Sequence, residues 1–261
     1  MMVANLGAEK ALHGTAWGQV HGGYFSDPAV ARPLVAAARE VWAAAQPEVI
    51  VDLGGGTGFL LSQLREAGVG GDAALVNLDC SEAQIAVADM AGVASVCGSL
   101  AAFRREAVVP AGRKALFLMR SALHYAGESG LTPVLRHIRT QMAAGEFWVH
   151  QTACFERPEE ADCLNALYRK MRTGKWYPTI ADLRGRLDAA GWMTVDVRPA
   201  PTLHLDSAEL GLRYGLDEAG LRTLAGKMAA EFAGRSDVFR LWPGGFQADL
   251  HYRIFVCAVD S

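Results

Sequence analysis

The sequence has no apolar run that approaches the roughly 20 residues needed to cross a bilayer. Its most alanine-rich stretch, Val35 to Ala45, is interrupted by Arg39 and Glu40. The N-terminal residues also lack the basic segment followed by an apolar one that a secretory signal requires. We therefore expect no membrane partner and a cytoplasmic location.

An excess of positive charge is also absent, since 25 basic residues stand against 28 acidic ones for a formal net charge of −3. A protein that neutralises many phosphates needs a basic face, so we expect no nucleic-acid partner. Hydrophobic residues make up 51% of the 261 residues and charged residues 20%. The chain can therefore bury a substantial core and is expected to be globular.

Cysteine pairs of the CxxC type, which would indicate a zinc or redox site, are missing too. The five cysteines are Cys80, Cys97, Cys154, Cys163 and Cys257. Their odd number and wide spacing predict free thiols. His150, Cys154 and Cys163 have the chemistry to bind a metal. Successive strand residues point to opposite faces of a sheet, however, so we predict no metal site.

What the sequence does contain is an alternation of strand-like and helix-like segments. Asp27 and Pro28 read as the cap and first turn of a helix that ends before Pro47. Short apolar runs follow at Val49–Leu53, Ala74–Leu78, Ala94–Cys97, Ala115–Met119 and Phe147–Gln151. Helical patterns between them lie at Phe59–Ala67, Glu82–Met90 and Leu131–Met142. This alternation predicts a doubly wound α/β fold with a mostly parallel sheet.

After the fifth strand the alternation changes. Helix-like stretches at Ala161–Met171 and Thr179–Ala190 precede a strand-like run at Met193–Val197, and a last strand is predicted at Tyr252–Ala258. Helical spacing between these two strands, around Leu224, is followed by a loop-like LWPGGF. Long connections in a compact domain are typically functional. We therefore predict lid-like insertions at about 155–178 and 200–250.

The strongest motif is VIVDLGGGTGF, Val49–Phe59, in which glycines 54, 56 and 58 follow a buried strand and precede a helix. Glycine permits tight turns and close approach of the backbone to a ligand. The spacing is GxGxG rather than the GxGxxG of dinucleotide folds, and no GK[ST] of a phosphate loop follows. A purely structural turn is the alternative.

A second motif, LVNLDCSEAQI, places Asp79 at the end of the next strand. An acid at this position of a βαβ unit can accept hydrogen bonds from both hydroxyls of a ribose. Ser81 reads as the cap of the following helix, with Gln84 three residues later. Asp79 as a simple helix-entry residue is the alternative.

Together these motifs resemble those of the class I S-adenosylmethionine-dependent methyltransferases. The resemblance extends over roughly Pro47–Val149 and rests on DLGGGTG (Asp52–Gly58), LDCS (Leu78–Ser81) and CGSL (Cys97–Leu100). It implies S-adenosylmethionine as cofactor and a Rossmann-like, seven-stranded sheet whose last strand is antiparallel. Residues 1–46 would form an N-terminal helical cover, and residues 47–261 the methyltransferase domain.

The resemblance also implies which residues bind the cofactor. The glycines would approach its methionine portion, Asp79 its ribose, and Ser99 its adenine, where the family often has an aspartate instead. The expected set is Asp52, Gly54, Gly55, Gly56, Gly58, Asp79, Cys80, Gly98, Ser99, Leu100 and Arg120.

A fourth motif, ALFLMRSALHYAGESG, runs from a strand into a polar turn that contains His124. Small-molecule O-methyltransferases often have a similar LHDW, whose histidine removes the proton of the acceptor; Leu123 and His124 match it, while Tyr125 and Ala126 do not. A base with a pKa near 7 assists a weakly nucleophilic hydroxyl. A structural histidine at a strand end is the alternative.

Two further segments are expected to shape the acceptor pocket. The first, His13–Phe25, contributes the aromatic residues Trp17, His21 and Tyr24, with a plain hydrophobic cover as the alternative. The second, Leu167–Pro178, is rich in positive charge. Here Arg172, beside Trp176 and Tyr177, could clamp a carboxylate or phosphate. A solvated charged face is the alternative.

From these residues we expect a methyltransferase that acts on a small-molecule hydroxyl with His124 as general base. N-, C- or S-methylation of a small metabolite, an anionic one included, stays open, as does non-catalytic binding of S-adenosylmethionine. A nucleotide-dependent oxidoreductase is the competing enzyme class and is disfavoured by the glycine spacing. The sequence is also compatible with a homo-oligomer.

Overall fold

The computed structural model describes residues 23–88, 92–234 and 236–260. Trp17 and His21 therefore lie outside the described residues. The first helix of the described ranges, α1 (Pro28–Ala45), begins as predicted, because the Asp27 side chain accepts a hydrogen bond from the Ala29 amide and Pro28 occupies the first turn. Its apolar face is buried against the sheet that follows.

A seven-stranded sheet forms the centre of the molecule. Its strands are β1 (Val49–Leu53), β2 (Ala74–Asp79), β3 (Val93–Cys97), β4 (Ala115–Arg120), β5 (Phe147–Ala153), β6 (Met193–Asp206) and β8 (Gly245–Ala258). They lie in the order β3-β2-β1-β4-β5-β8-β6. The first five run parallel, and β8 is antiparallel to both β5 and β6. The predicted α/β methyltransferase-type sheet with an antiparallel last strand is confirmed. A short strand, β7 (Phe239–Trp242), additionally pairs with β8.

Helices cover both faces of this sheet. They are α2 (Phe59–Glu66), α3 (Glu82–Val87), α4 (Arg105–Val108), α5 (Gly127–Thr140), α6 (Pro158–Lys170), α7 (Ile180–Ala189), α8 (Ser207–Tyr214) and α9 (Glu218–Phe232). Strand β1 is buried along its whole length because its side chains alternate between two cores. Ile50 packs in the cluster that contains α1 and α2, and Val51 in the cluster that contains α5 and α7. No helix in the described ranges is long and apolar enough to span a membrane.

Strands β6 and β8 are each 14 residues long, well beyond the runs predicted at Met193–Val197 and Tyr252–Ala258. Proline removes a backbone donor and is unusual inside a strand. Because of Pro199 and Pro201, the sequence pattern did not predict that β6 continues beyond Val197. The strand accommodates them with a register shift between Ala200 and Leu203. The LWPGGF segment is not a long loop but the turn of the β7–β8 hairpin.

The long strands carry a second core beyond the carboxyl end of the sheet. Strand β5 ends at Ala153, opposite Tyr252, whereas β8 continues to Gly245 on that side. Helices α6, α8 and α9, strand β7 and the extended ends of β6 and β8 share this core, and we call them the cap. Residues of both predicted insertions thus pack together above the sheet edge at which the glycine motif lies.

Candidate functional site

The glycine motif forms a loop that is tied to the neighbouring strand. Gly54, Gly56 and Gly58 have φ values of 74°, 56° and 79°, in the left-handed region that favours glycine. The amides of Gly54 and Gly55 donate hydrogen bonds to the Leu78 carbonyl at 2.7 and 3.2 Å. The loop therefore has a fixed position at the carboxyl ends of β1 and β2.

Asp79 joins this loop to the start of α3. One carboxylate oxygen accepts a hydrogen bond from the Gly56 amide at 3.0 Å, and the other accepts one from the Ser81 amide at 2.8 Å. Ser81 caps α3, as predicted, because its side chain accepts a hydrogen bond from the Gln84 amide. A carboxylate has about four acceptor positions, so Asp79 can still accept hydrogen bonds from a ligand.

A cavity of about 210 Å³ lies at the carboxyl ends of β1, β2 and β4. Among the eleven residues expected to bind the cofactor, ten line this cavity: Asp52, Gly54, Gly55, Gly56, Asp79, Cys80, Gly98, Ser99, Leu100 and Arg120. Gly58 is instead the N-cap of α2. Ten of the residues that the sequence predicts to bind a cofactor therefore line one concave site, although they come from four separate motifs.

Asp52 is a buried acid at the floor of this cavity. Neither of its carboxyl oxygens has a hydrogen-bond partner within the described part of the chain, and the same holds for Oδ1 of the neighbouring Asn77. Burial, and then the charge of Asp79, raises the pKa of Asp52 to about 7, while the Arg120 guanidinium opposes the rise. Sequence reasoning did not identify Asn77, because an amide inside a buried strand carries no motif.

Arg120 connects the cavity to the segment before α1. Its terminal nitrogens donate hydrogen bonds to the backbone carbonyls of Phe25 and Tyr24 at 3.0 and 3.1 Å. The Tyr24 hydroxyl in turn donates to the carbonyl of Pro201 at 2.5 Å. Burial lowers the pKa of Arg120, but it stays a cation. Tyr24 itself does not line the cavity, whereas Phe25 does.

His124 lies beside the large cavity, not in its wall. It is buried in the short 3₁₀ helix Leu123–Ala126, and its ring stacks on that of Tyr177 at 5.5 Å. Both residues line a second cavity of about 10 Å³, roughly the size that holds one water. Phe25, Ser121 and Tyr125 belong to the walls of both cavities. We call the second cavity the chamber.

The positively charged segment places a different residue in the chamber from the one expected. Arg172 lies on an exposed turn with φ 57°, and Trp176 stacks against Arg186 at 4.8 Å; neither lines either cavity. Lys175 is buried and lines the chamber together with Tyr177. The turn reverses the chain so that Lys175 points inward. The sequence signal that could have identified Lys175 is its position between a glycine and two consecutive aromatic residues.

The residues considered for a metal site do not form one. His150 is buried between the rings of Trp148 and Phe255, at centroid distances of 4.0 and 5.1 Å, and burial lowers its pKa to about 3. It is therefore a neutral core residue. Within residues 23–88, 92–234 and 236–260, no group of three His, Cys, Asp or Glu side chains is arranged to hold a metal.

The strand order, the antiparallel last strand and the glycine loop at the sheet edge define a class I methyltransferase fold. No family model matches the sequence, and no curated protein sequence matches it. Similarity to solved structures is clear, however. The YcgJ protein of Bacillus subtilis has 12% identity and a TM-score of 0.67, over 89% of this chain and 98% of that one.

Two further structures carry functional names. A protein of Bacillus halodurans, named only provisionally as a methyltransferase, has 12% identity and a TM-score of 0.65, over 87% of this chain and 100% of that one. The 1,6-didemethyltoxoflavin-N1-methyltransferase of Burkholderia thailandensis was solved with bound 1,6-didemethyltoxoflavin and S-adenosylhomocysteine. It has 17% identity and a TM-score of 0.56, over 99% of this chain and 92% of that one. Identities this low establish a shared fold and leave the activity to be argued from the site.

Proposed function

We propose that the protein transfers the methyl group of S-adenosylmethionine to a small-molecule acceptor. The observation that carries this proposal is that the glycine loop and Asp79 are hydrogen-bonded to each other and form the wall of one open cavity. If the glycine loop were only a structural turn and Asp79 only a helix-entry residue, there would be no reason for both to line an open cavity.

The charges around the cavity fit this cofactor. Asp79 retains acceptor positions for the ribose hydroxyls. Asp52 and Arg120, of opposite sign, would hold the amino and carboxylate groups of the methionine portion. Cys80, Ser99 and Leu100 lie in the wall on the side of β2 and β3, where the adenine would bind. The cofactor supplies an electrophilic methyl group on its sulfonium.

The chain's own contribution to the reaction is to orient the acceptor, exclude water and take up a proton. His124 lies in the chamber next to the cavity, with Tyr125 forming part of both walls. A hydroxyl acceptor that places its oxygen in the chamber would meet the imidazole, which acts as the general base. Aromatic rings of Tyr177 and Tyr252 enclose that position.

N-methylation is the second candidate function. The toxoflavin N1-methyltransferase, which shares this fold over 99% of the present chain, is named for a reaction of this kind. An anionic acceptor fits Lys175, the residue of the basic segment that reaches the chamber. For either acceptor, the cofactor-binding residues stay the same.

Titration calorimetry with S-adenosylmethionine and with S-adenosylhomocysteine tests the proposal. We expect Asp79→Ala to weaken both affinities about 10- to 100-fold, since hydrogen bonds to a charged group contribute about 1.5–3 kcal/mol. Asp72→Ala, at an exposed position after α2, is the matched control. The absence of binding by the native chain would overturn the proposal.

Incubation with methyl-labelled cofactor and a metabolite extract tests the transfer itself. Label appears in a small molecule if the protein is an enzyme. Tight binding of the cofactor without labelled product would favour non-catalytic binding of S-adenosylmethionine over methyl transfer.

A further inference from the structure

Two side-chain oxygen atoms lie close beneath Gly55 of the glycine loop. A Cβ added to Gly55 would collide with Asn77 Oδ1 and would lie 2.5 Å from Asp52 Oδ2. Both oxygens therefore lie next to the same backbone position, that of Gly55. Asp52 is at the end of β1 and Asn77 is its register partner in β2.

The orientation of the Asn77 side chain is set by its other end. Its Nδ2 donates a hydrogen bond to the Gly56 carbonyl at 3.0 Å. A flipped amide would place oxygen against that carbonyl, so Oδ1 must be the atom that faces Asp52. Both residues are buried, and none of the described residues provides a hydrogen-bond partner for Oδ1 or for either oxygen of Asp52.

Two buried acceptor oxygens on register partners, both next to Gly55 and both without a donor among the described residues, repel each other unless a proton lies between them. The protonated carboxyl of Asp52 is the group that can supply one. Two charged groups act on it, Asp79 from β2 and Arg120 from β4, in opposite directions. Burial decides the balance and places the pKa of Asp52 near 7.

We propose that Asn77 is a positioning residue whose Oδ1 accepts a hydrogen bond from the protonated Asp52 carboxyl in the cofactor-free protein, and that cofactor binding releases this proton. The inference rests on the proposed function. In the release step the O–H bond of Asp52 breaks, its electron pair stays on the carboxylate, and the proton goes to the solvent. The carboxylate then pairs with the ammonium group of the bound methionine portion.

Calorimetry with S-adenosylhomocysteine, in two buffers of different ionisation enthalpy, measures the number of protons released. We expect about one proton to be released per binding event at pH 6 and far less than one at about pH 8, because Asp52 is already largely ionised at the higher pH. Affinity accordingly rises as the pH increases from about 6 to about 7, the range in which Asp52 loses its proton. Heats that are independent of the buffer at pH 6, with binding intact, would overturn the inference.

Asp52→Asn is the first variant, because it keeps the shape and carries no titratable proton. Its binding heats should be the same in both buffers. In Asn77→Leu the protonated form of Asp52 loses its acceptor, so we expect release at pH 7 to fall below the native value. A merely structural role of Asn77 would instead lower affinity equally at every pH.

Infrared spectroscopy of the native protein gives a readout that does not depend on the variants folding. The carbonyl band of a protonated carboxylic acid should be present at pH 6, absent in Asp52→Asn, and lost when S-adenosylhomocysteine binds. A native protein that fails to bind S-adenosylhomocysteine would overturn the proposed function together with this inference. Binding without loss of the band overturns the inference alone.

Discussion

The ammonium group of Lys175 lies 4.7 Å from the centroid of the Tyr125 ring, and Tyr125 forms part of the wall of both cavities. The same ammonium donates a hydrogen bond to the Tyr214 hydroxyl at 3.0 Å. Tyr214 belongs to α8 of the cap, whereas Tyr125 precedes α5 of the sheet domain. One lysine thus links the cap to the boundary between the cofactor cavity and the chamber.

Replacing Lys175 by methionine tests whether this charge recognises the acceptor. We expect transfer of labelled methyl from the cofactor to fall at least about tenfold, since charge-assisted hydrogen bonds are the strong ones. Affinity for S-adenosylhomocysteine should change less than twofold. Lys227→Met, at an exposed position of α9, is the matched control. Equal transfer by the Lys175 variant and the native chain would show that the acceptor does not need this charge.

Substitution of His124 separates catalysis from cofactor binding. His124 lines the chamber and not the larger cavity, so His124→Ala should keep native affinity for S-adenosylhomocysteine while turnover falls about 100-fold or more. With cofactor at saturation, the pH–rate profile of the native protein should differ in shape from that of the variant, because only the native protein has a general base at this position. A pH–rate profile that is the same in both proteins would remove His124 from the mechanism.

Local patterns were sufficient to predict the sheet and to indicate that the glycine loop and Asp79 lie at one site, whereas the ligand of that site stays a prediction. Each of these depends on residues that are adjacent in sequence or that end neighbouring strands. Lys175 and Asn77 were not assigned a role. The inward position of Lys175 depends on a reversal of the chain at Arg172, and the role of Asn77 depends on its pairing with Asp52 of β1. The length of β6 was missed since Pro199 interrupts the alternation by which strands are recognised.

The buried acid Asp52 makes stability depend on pH. Its pKa is raised to about 7 in the folded protein, against about 3.8 in the unfolded chain. The unfolded chain therefore loses the proton first, and the stability that the protonated group contributes falls as the pH rises from about 4 to about 7.

The Asp52→Asn variant has no carboxyl proton to lose at this position. Its unfolding free energy should therefore increase relative to that of the native protein as the pH rises from about 4 to about 7. The expected difference in unfolding free energy is a few kcal/mol at pH 8 and close to zero at pH 4. Melting temperatures of the two proteins, measured without cofactor between pH 4 and pH 8, check this. A difference that stays constant with pH would mean that Asp52 titrates alike in both states.

Gly55 is required for space and not for backbone conformation, because its φ is not in the left-handed region that Gly54 and Gly56 adopt. A methyl group at Gly55 would meet Asn77 Oδ1 and Asp52 Oδ2, which are held by buried strands and cannot move aside. We expect Gly55→Ala to destabilise the fold by about 1–3 kcal/mol, as overpacking does. It should also weaken S-adenosylhomocysteine binding at least about tenfold by displacing the loop.

Gly185→Ala provides the comparison for this substitution. Gly185 lies within α7, and a Cβ there would meet nothing within 4 Å. Alanine at that position should stabilise the protein by about 0.5–1 kcal/mol through the lower entropy of the unfolded chain, with cofactor affinity unchanged. Chemical unfolding and calorimetry of both variants measure the contrast. If Gly55→Ala binds S-adenosylhomocysteine as tightly as Gly185→Ala, the loop can shift away from Asn77 without loss, and the close contact beneath it does not shape the cofactor site.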